Sequence, residues 1–179
     1  MSASLDRITE RFTQLLGPTA VPTRPPMPVS VATPAPAASA ASPTPSPPGP
    51  IQRTDHALKG YDLNVAVSSR QVVLVAEILD QEGFALDAIT GVDWLAQGEM
   101  EIVYDYFHPT ASLRVVVRAR VPRAEPELPT ISPVFPGANW HERETHDFFG
   151  IRFQGHPNLA PFLLPEDADF HPLRKDYQP

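Results

Sequence analysis

Four of the six histidines fall between residues 141 and 171, in a stretch that also carries Glu142, Glu144 and Asp147. Histidine mixed with carboxylate is metal-ligand chemistry. His141-Glu142 begins like the zincin helix motif, in which a second His four residues on reaches the zinc from the same face. Thr145 stands at that position. His146 is one residue further and about 140° around a helix from His141, so the two cannot share an ion. An improvised site would have to recruit His156 or His171, and ordinary polar contacts are the better reading of both. Glu142, Glu144 and Asp147 invite acid/base work, but glycosidase-type catalysis needs carboxylates facing each other across a cleft. On one short helix these three point apart. Arg143 and Asp147 are i,i+4 neighbours and can pair. The group reads as structural ion pairs and interface contacts.

Other catalytic equipment is missing. There are no cysteines, which removes disulfides, thiolate zinc sites, iron–sulfur clusters and thiol nucleophiles together. No phosphate loop, dinucleotide fingerprint or nucleophile elbow occurs, and Gly155-His156-Pro157 reads as a turn. Trp140, Phe148, Phe149 and the run Pro161-Phe162-Leu163-Leu164 would form a large apolar patch if left uncovered, and such patches mark interfaces. Residue chemistry therefore describes a non-catalytic domain with an adhesive C-terminal segment.

The elements that must position these residues follow from periodicity. Leu5, Ile8, Phe12, Leu15 and Leu16 fall at helical spacing, which predicts an amphipathic helix over residues 1–17, with Ser4 as N-cap and Gly17-Pro18 as stop. Its stripe needs a surface, either its own domain or a partner. Residues 18–50 are rich in Pro, Ala, Ser and Thr and read as a disordered linker. An α+β domain over residues 51–136 comes next, its folded part starting near Asp55. Alternation predicts strands at 61–67, 84–94, 100–107 and 113–121. Ser68 with Gln71 opens a helix whose buried stripe is Val72, Val75, Ala76 and Leu79. Leu113, Val115, Val117, Ala119 and Val121 face one way; Arg114, Arg118 and Arg120 face the other, as a rim suited to an acidic partner. The expected fold is α+β: a mixed sheet of about four strands with helices on one face, followed by a short helix and an extended C-terminal segment. Residues 122–136 read as an extended connector. Residues 137–179 hold a helix capped by Asn139 and ended by Gly150, then a tail lying against something.

The whole chain bounds the rest. It has 179 residues and a formal charge of −7, which argues against nucleic-acid binding. The longest apolar run is far short of the roughly 20 residues that span a bilayer, and Asp6, Arg7, Glu10 and Arg11 interrupt any secretory pattern. A cytoplasmic chain that can sit on a membrane complex is expected.

The run Pro136-Gly137-Ala138-Asn139-Trp140-His141-Glu142-Arg143-Glu144-Thr145-His146-Asp147-Phe148-Phe149-Gly150-Ile151 resembles the signature of the respiratory-chain NADH dehydrogenase 30 kDa subunit family. That motif is Glu-Arg-Glu, two free positions, an acid, two apolar residues and a His after six more. Glu142, Arg143, Glu144, Asp147, Phe148, Phe149 and His156 match it, and His171 to Tyr177 matches the later His-Pro-Leu-Arg-Lys-Asp-Tyr. The resemblance covers about residues 55–179. It implies a subunit with no cofactor and no catalytic residue of its own. Iron–sulfur clusters, flavin or a nickel–iron site would belong to its partners. It further implies docking on the large hydrogenase-like (49 kDa-type) subunit and neighbouring iron–sulfur subunits. The place would be the peripheral arm on the cytoplasmic side of the inner membrane, where electrons pass to quinone with proton translocation. Membrane contact would come only through the complex. The expected interface is Trp140, Glu142, Arg143, Glu144, Asp147, Phe148, Phe149, His156, His171, Arg174, Lys175 and Asp176. The same module occurs in membrane-bound energy-converting nickel–iron hydrogenases, and the departures at Ala160, Phe162 and Phe170 leave the branch open. From another class, a free-standing metal-dependent hydrolase would use His141, Glu142 and His146.

Overall fold

A computed structural model describes residues 2–17 and 50–178. The linker reading for residues 18–50 falls, but for Pro50, outside the described residues. Chain order runs α1 (Ser2–Leu16), β1 (Ile51–Arg53), α2 (His56–Lys59), β2 (Leu63–Val67), α3 (Val72–Gln81), β3 (Ala85–Trp94), β4 (Glu99–His108), β5 (Leu113–Pro122), β6 (Glu127–Pro129), α4 (Ala138–Phe149) and β7 (Arg152–Gln154). The main sheet has the order β1-β2-β5-β4-β3, with β2 and β5 parallel and the other pairs antiparallel. The α+β expectation holds, with one strand more than expected: β1 is only three residues long, too short to show a period, and takes its place as an edge by pairing with β2.

Period-2 patterning decides which sheet face is covered. Leu63, Val65 and Val67 of β2, Met100, Ile102, Tyr104 and Tyr106 of β4 and the odd-numbered residues of β5 from Leu113 to Val121 are buried under the helices. Val72, Val75, Ala76 and Leu79 of α3 meet them. Gln71 accepts the Ser68 N–H at 3.0 Å, as the capping pattern requires, although a 3-10 turn over Ser69–Gln71 precedes α3. From α1, Ile8, Phe12 and Leu16 join the same core, so this helix docks on its own domain. It begins at Ser2, so Ser4 lies inside the helix and does not cap it.

The opposite sheet face is polar and internally balanced. Arg114 pairs with Asp87 and, at 3.5 Å, with Asp105; Arg118 approaches Glu101 at 3.5 Å and bonds Asn64; Arg120 bonds Glu99 at 3.0 Å. The arginine row is therefore matched by carboxylates of its own chain, which corrects the reading of it as a rim for an acidic partner.

Two further corrections concern the C-terminal half. The connector over 122–136 contains β6, which pairs in parallel with β7 and buries Leu128 and Phe153. One core cluster thus runs across residue 136. Helix α4 is capped by Gly137, with Asn139 already inside it. The turn preceding the helix (Ala138 N–H to Phe135 O, 2.9 Å) starts the winding earlier than the Asn side chain suggested.

Candidate functional site

Helix α4 places the charged signature, and each charge is used differently from what its sequence neighbours suggest. Ala138, Glu142 and Thr145 fall on the inward face and are buried. Glu142 is fully buried, its carboxylate accepting the Ile131 N–H at 2.8 Å and meeting the Thr130 hydroxyl. His156 is beside it, Nε2 lying 3.8 Å from Oε2. The His156 Nδ1 accepts the Asn158 N–H at 3.1 Å, so Nε2 carries the proton and donates to Asn139 O at 3.2 Å. Burial pushes the Glu142 carboxyl up to about 7, against the hydrogen bonds from Thr130 and Ile131. The buried Tyr106 phenol is raised by burial and then by the Glu142 charge. Neither Glu142 nor His156 can touch another chain directly, which corrects both as interface residues: they pin α4 to the segment before it and to the turn after β7.

Arg143 and Asp147 do not pair with each other. Asp147 accepts the N–H groups of Phe162 (2.6 Å), Leu163 (2.7 Å) and Leu164 (3.3 Å). Burial works against its ionisation, but those three donors overcome it and hold the carboxyl below its ordinary value. Arg143 donates to the carbonyls of Ala160 (3.0 Å) and Pro161 (2.7 Å). Its guanidinium lies 5.3 Å from the Trp140 ring centroid and 5.1 Å from that of Phe162. A cation and an anion one helical turn apart thus grip opposite polarities of one loop, residues 160–164.

The tail closes the end of the helix. The last carbonyls of α4 lack intrahelical partners. His171 Nδ1 donates to Asp147 O (2.8 Å), the Leu173 N–H to Phe148 O (3.1 Å) and Arg174 Nε to Phe149 O (2.7 Å). Cationic Arg174 also suits the negative end of the helix dipole. Gly150 turns the chain at φ 71°, and a Cβ there would collide with His171 and Arg174. One step further, Asp93 of β3 accepts from Arg123 Nε (2.8 Å) and from the Lys175 N–H (2.8 Å), while Arg123 also bonds Asp176 (2.5 Å). The Arg123 guanidinium, aided by the Lys175 N–H and opposed by burial, holds the Asp93 carboxyl low.

Several large apolar side chains are left outward. Trp140 is 56% exposed and meets Phe162 in a tilted ring contact, centroids 5.1 Å apart; Leu163 is 57% exposed, and Phe170 and Leu173 stand out further along the tail. Glu144 is exposed on α4. Phe148 and Phe149 are half-buried, and Phe149 packs on the core so closely over Gly91 that a Cβ there would lie 2.6–2.9 Å from its ring. The sequence reading missed Thr130, Asp93, Arg123 and Gly91. An acid inside the apolar run Gly91-Val92-Asp93-Trp94 was the one available signal, since a buried carboxylate demands a cation. For the hydrolase alternative, His141, Glu142 and His146 do not converge: Glu142 is buried against Thr130, and His146 bonds Ile151 O at 2.9 Å. Among the described residues, no group of three His, Cys, Asp or Glu could hold a metal ion, and no helix is long and apolar enough to cross a membrane.

An α+β domain whose charges secure its own tail beneath an exposed apolar ridge defines a subunit-type module of a larger assembly. The chain belongs to the respiratory-chain NADH dehydrogenase 30 Kd subunit family, whose model matches residues 65–179. It is 41% identical over 120 residues to an NADH-quinone oxidoreductase subunit of Roseiflexus sp. (strain RS-1), covering 64% of this chain and 69% of that relative. It is 42% identical over 97 residues to an F(420)H(2) dehydrogenase subunit of Methanosarcina mazei, covering 52% of this chain and 60% of the relative. Among solved structures, a chain of the membrane-bound sulfane sulfur reductase, an archaeal respiratory membrane complex, superposes with a TM-score of 0.60 at 29% identity over 65% of this chain and 71% of that one. A trypsin-resistant fragment (1-134) of Nqo5 superposes with a TM-score of 0.53 at 30% identity, over 62% of this chain and 89% of the fragment.

Proposed function

We propose that this chain is a cofactor-free structural subunit in the peripheral arm of a complex I-like NADH-quinone oxidoreductase, on the cytoplasmic side of the membrane. It docks on the hydrogenase-derived large subunit and supports electron transfer to quinone without carrying electrons itself. The observation that carries this reading is the exposed apolar ridge of Trp140, Phe162 and Leu163, with Phe170 and Leu173 exposed further along the tail. These large apolar side chains stay in solvent on a segment that hydrogen bonds hold in place. A ridge fixed before its partner arrives loses little entropy on docking, and apolar patches of this kind mark interfaces. Of the residues named for the interface, Trp140 and Glu144 make contact directly. Arg143, Asp147, His171, Arg174, Lys175 and Asp176 act by setting the ridge's shape.

The test is affinity isolation of the native complex through this chain. Co-purification of a large hydrogenase-like subunit with iron–sulfur subunits supports the reading, and its loss in a Trp140→Ala, Leu163→Ala double variant that stays folded supports the ridge. Recovery of the chain alone from intact membranes overturns both. A second reading, the equivalent subunit of a hydrogenase-related membrane complex, is favoured by the superposition on the sulfane sulfur reductase chain. NADH- and flavin-binding subunits in the isolated complex support the first, and a nickel-site large subunit the second.

A further inference from the structure

We propose that Glu142 and His156 form a proton-operated clasp beneath a surface cleft at the start of α4, and that loss of the Glu142 proton loosens the cleft wall. The cleft has a volume of about 280 Å³. Ser132, Pro133, Pro136 and Asn139 line it from the segment leading into α4, and Gly155 and Pro157 from the turn after β7. His156 belongs to that turn, and its Nε2–H ties the two walls together by donating to Asn139 O at 3.2 Å. Glu142 Oε2 lies 3.8 Å from the same nitrogen, and neither side chain is exposed. One N–H thus stands between a carbonyl and a carboxyl. A charge-assisted bond to the carboxylate needs the pair to close by only about 1 Å.

The proton count separates two states. With Glu142 protonated, its O–H donates to Thr130, Thr130 donates to Ser132 Oγ at 2.9 Å, and His156 stays on Asn139 O. With Glu142 ionised, the carboxylate can only accept. Thr130 turns its single hydrogen to Glu142, the Ser132 hydroxyl turns to donate to Thr130, and the His156 N–H is drawn from Asn139 to Oε2. Both changes end on residues that line the cleft, Ser132 and Asn139. Trp140 follows Asn139, so the loosened wall adjoins the apolar ridge. The other titratable groups near Glu142 do not compete. Burial, and after it the Glu142 charge, raises the Tyr104 and Tyr106 phenols of β4, which stay protonated, and the Tyr104 hydroxyl makes no hydrogen bond. On α4 itself, His146 is bonded to Ile151 O and His141 is about 100° around the helix from Glu142. Among the described residues, no lysine or arginine pairs with Glu142. By reciprocity, a group that binds the loosened cleft drives Glu142 to release its proton.

The test is NMR of the isotope-labelled full chain from about pH 5 to about pH 9. The Glu142 carboxyl carbon should titrate with a midpoint of about 7. The Asn139 carbonyl carbon, the His156 Nε2–H and the Ser132 amide should shift with that same midpoint. Glu142→Gln keeps the low-pH set of bonds and should hold all three at their low-pH positions throughout. Thr130→Val should silence Ser132 and leave Asn139 titrating. The proposal is overturned if Asn139 and Ser132 stay still while Glu142 titrates, or if they move at a different midpoint. It is also overturned if Glu142 does not titrate in this range, or if Asn139 and Ser132 titrate unchanged in Glu142→Gln. Should a variant fail to fold, the parent chain still decides, because the shared midpoint is read there.

Discussion

Replacing Glu142 by Gln should flatten the pH dependence of stability between pH 5 and 8. In the folded chain burial lifts this carboxyl from 4.5 to about 7. A raised carboxyl pKa means that the folded state holds the proton more tightly than the unfolded one. The stabilisation is therefore complete below pH about 4.5 and is lost as pH rises through about 7. The full span corresponds to about 3.4 kcal/mol, of which about 2.5 kcal/mol falls between pH 5 and 8. Because Glu142 is fully buried, solvent screening does not reduce this. The local network suits the protonated form. Thr130 Oγ lies in hydrogen-bond contact with Glu142 Oε2 and also 2.9 Å from Ser132 Oγ, and it accepts the Ser132 N–H. Its single proton cannot serve both oxygens. A protonated Glu142 donates to Thr130, which is then free to donate to Ser132. A Gln carboxamide makes the same two bonds, donating to Thr130 and accepting from Ile131, at every pH. Urea unfolding at pH 5 and pH 8 is the assay: the parent chain should lose about 2.5 kcal/mol more than Glu142→Gln over this interval, a midpoint difference of about 1 M. Asp93, Asp147 and Glu82 do not interfere, because their carboxyls are lowered and release their contributions only at more acid pH. Equal pH slopes in the two proteins would show that the buried carboxylate is ionised throughout and refute the reasoning.

Gly91→Ala should lower stability by about 1–3 kcal/mol, because the new Cβ drives the Phe149 ring away from β3; thermal melting reads it. Asp147→Ala should leave the sheet intact while speeding amide exchange at Phe162, Leu163 and Leu164, whose N–H groups lose their shared acceptor. Arg123→Met leaves Asp93 buried without its guanidinium and should cost about 3 kcal/mol, with residues 175–176 becoming protease-sensitive. Arg143→Ala should weaken co-purification with the large subunit by loosening residues 160–164, whereas Glu144→Ala should do so without changing amide exchange in that loop.

The sheet and α3 were legible because their patterns are local. The alternation along β5 and the stripe Val72, Val75, Ala76 and Leu79 state which face is buried without reference to any other segment. Strands β6 and β7 were hidden because each is three residues long and is defined only by the other, across α4. The Arg143–Asp147 pair failed for an energetic reason. An exposed i,i+4 ion pair contributes about 0.3–0.5 kcal/mol, less than three backbone N–H groups converging on one carboxylate, each charge-assisted. No local rule could rank those alternatives, because the competing donors lie 15–17 residues downstream.

The spacing of the signature then acquires a physical cause. Glu142 and His156 close across the turn that follows β7, Arg143 and Asp147 hold the loop at 160–164 by its carbonyls and its N–H groups, and His171 with Arg174 caps the helix those residues stand on. The contacts adjoin one another: Gly150 turns the chain back where the cap forms, and Asp147 gathers the amides of the loop that sets Phe162 against Trp140. Ordering each large side chain at an interface costs about 0.5–1.5 kcal/mol. A ridge whose backbone is already fixed leaves only its side chains to order on docking. On the proposed docking reading, the charged residues would serve assembly from inside the chain, by shaping the apolar surface offered to a partner.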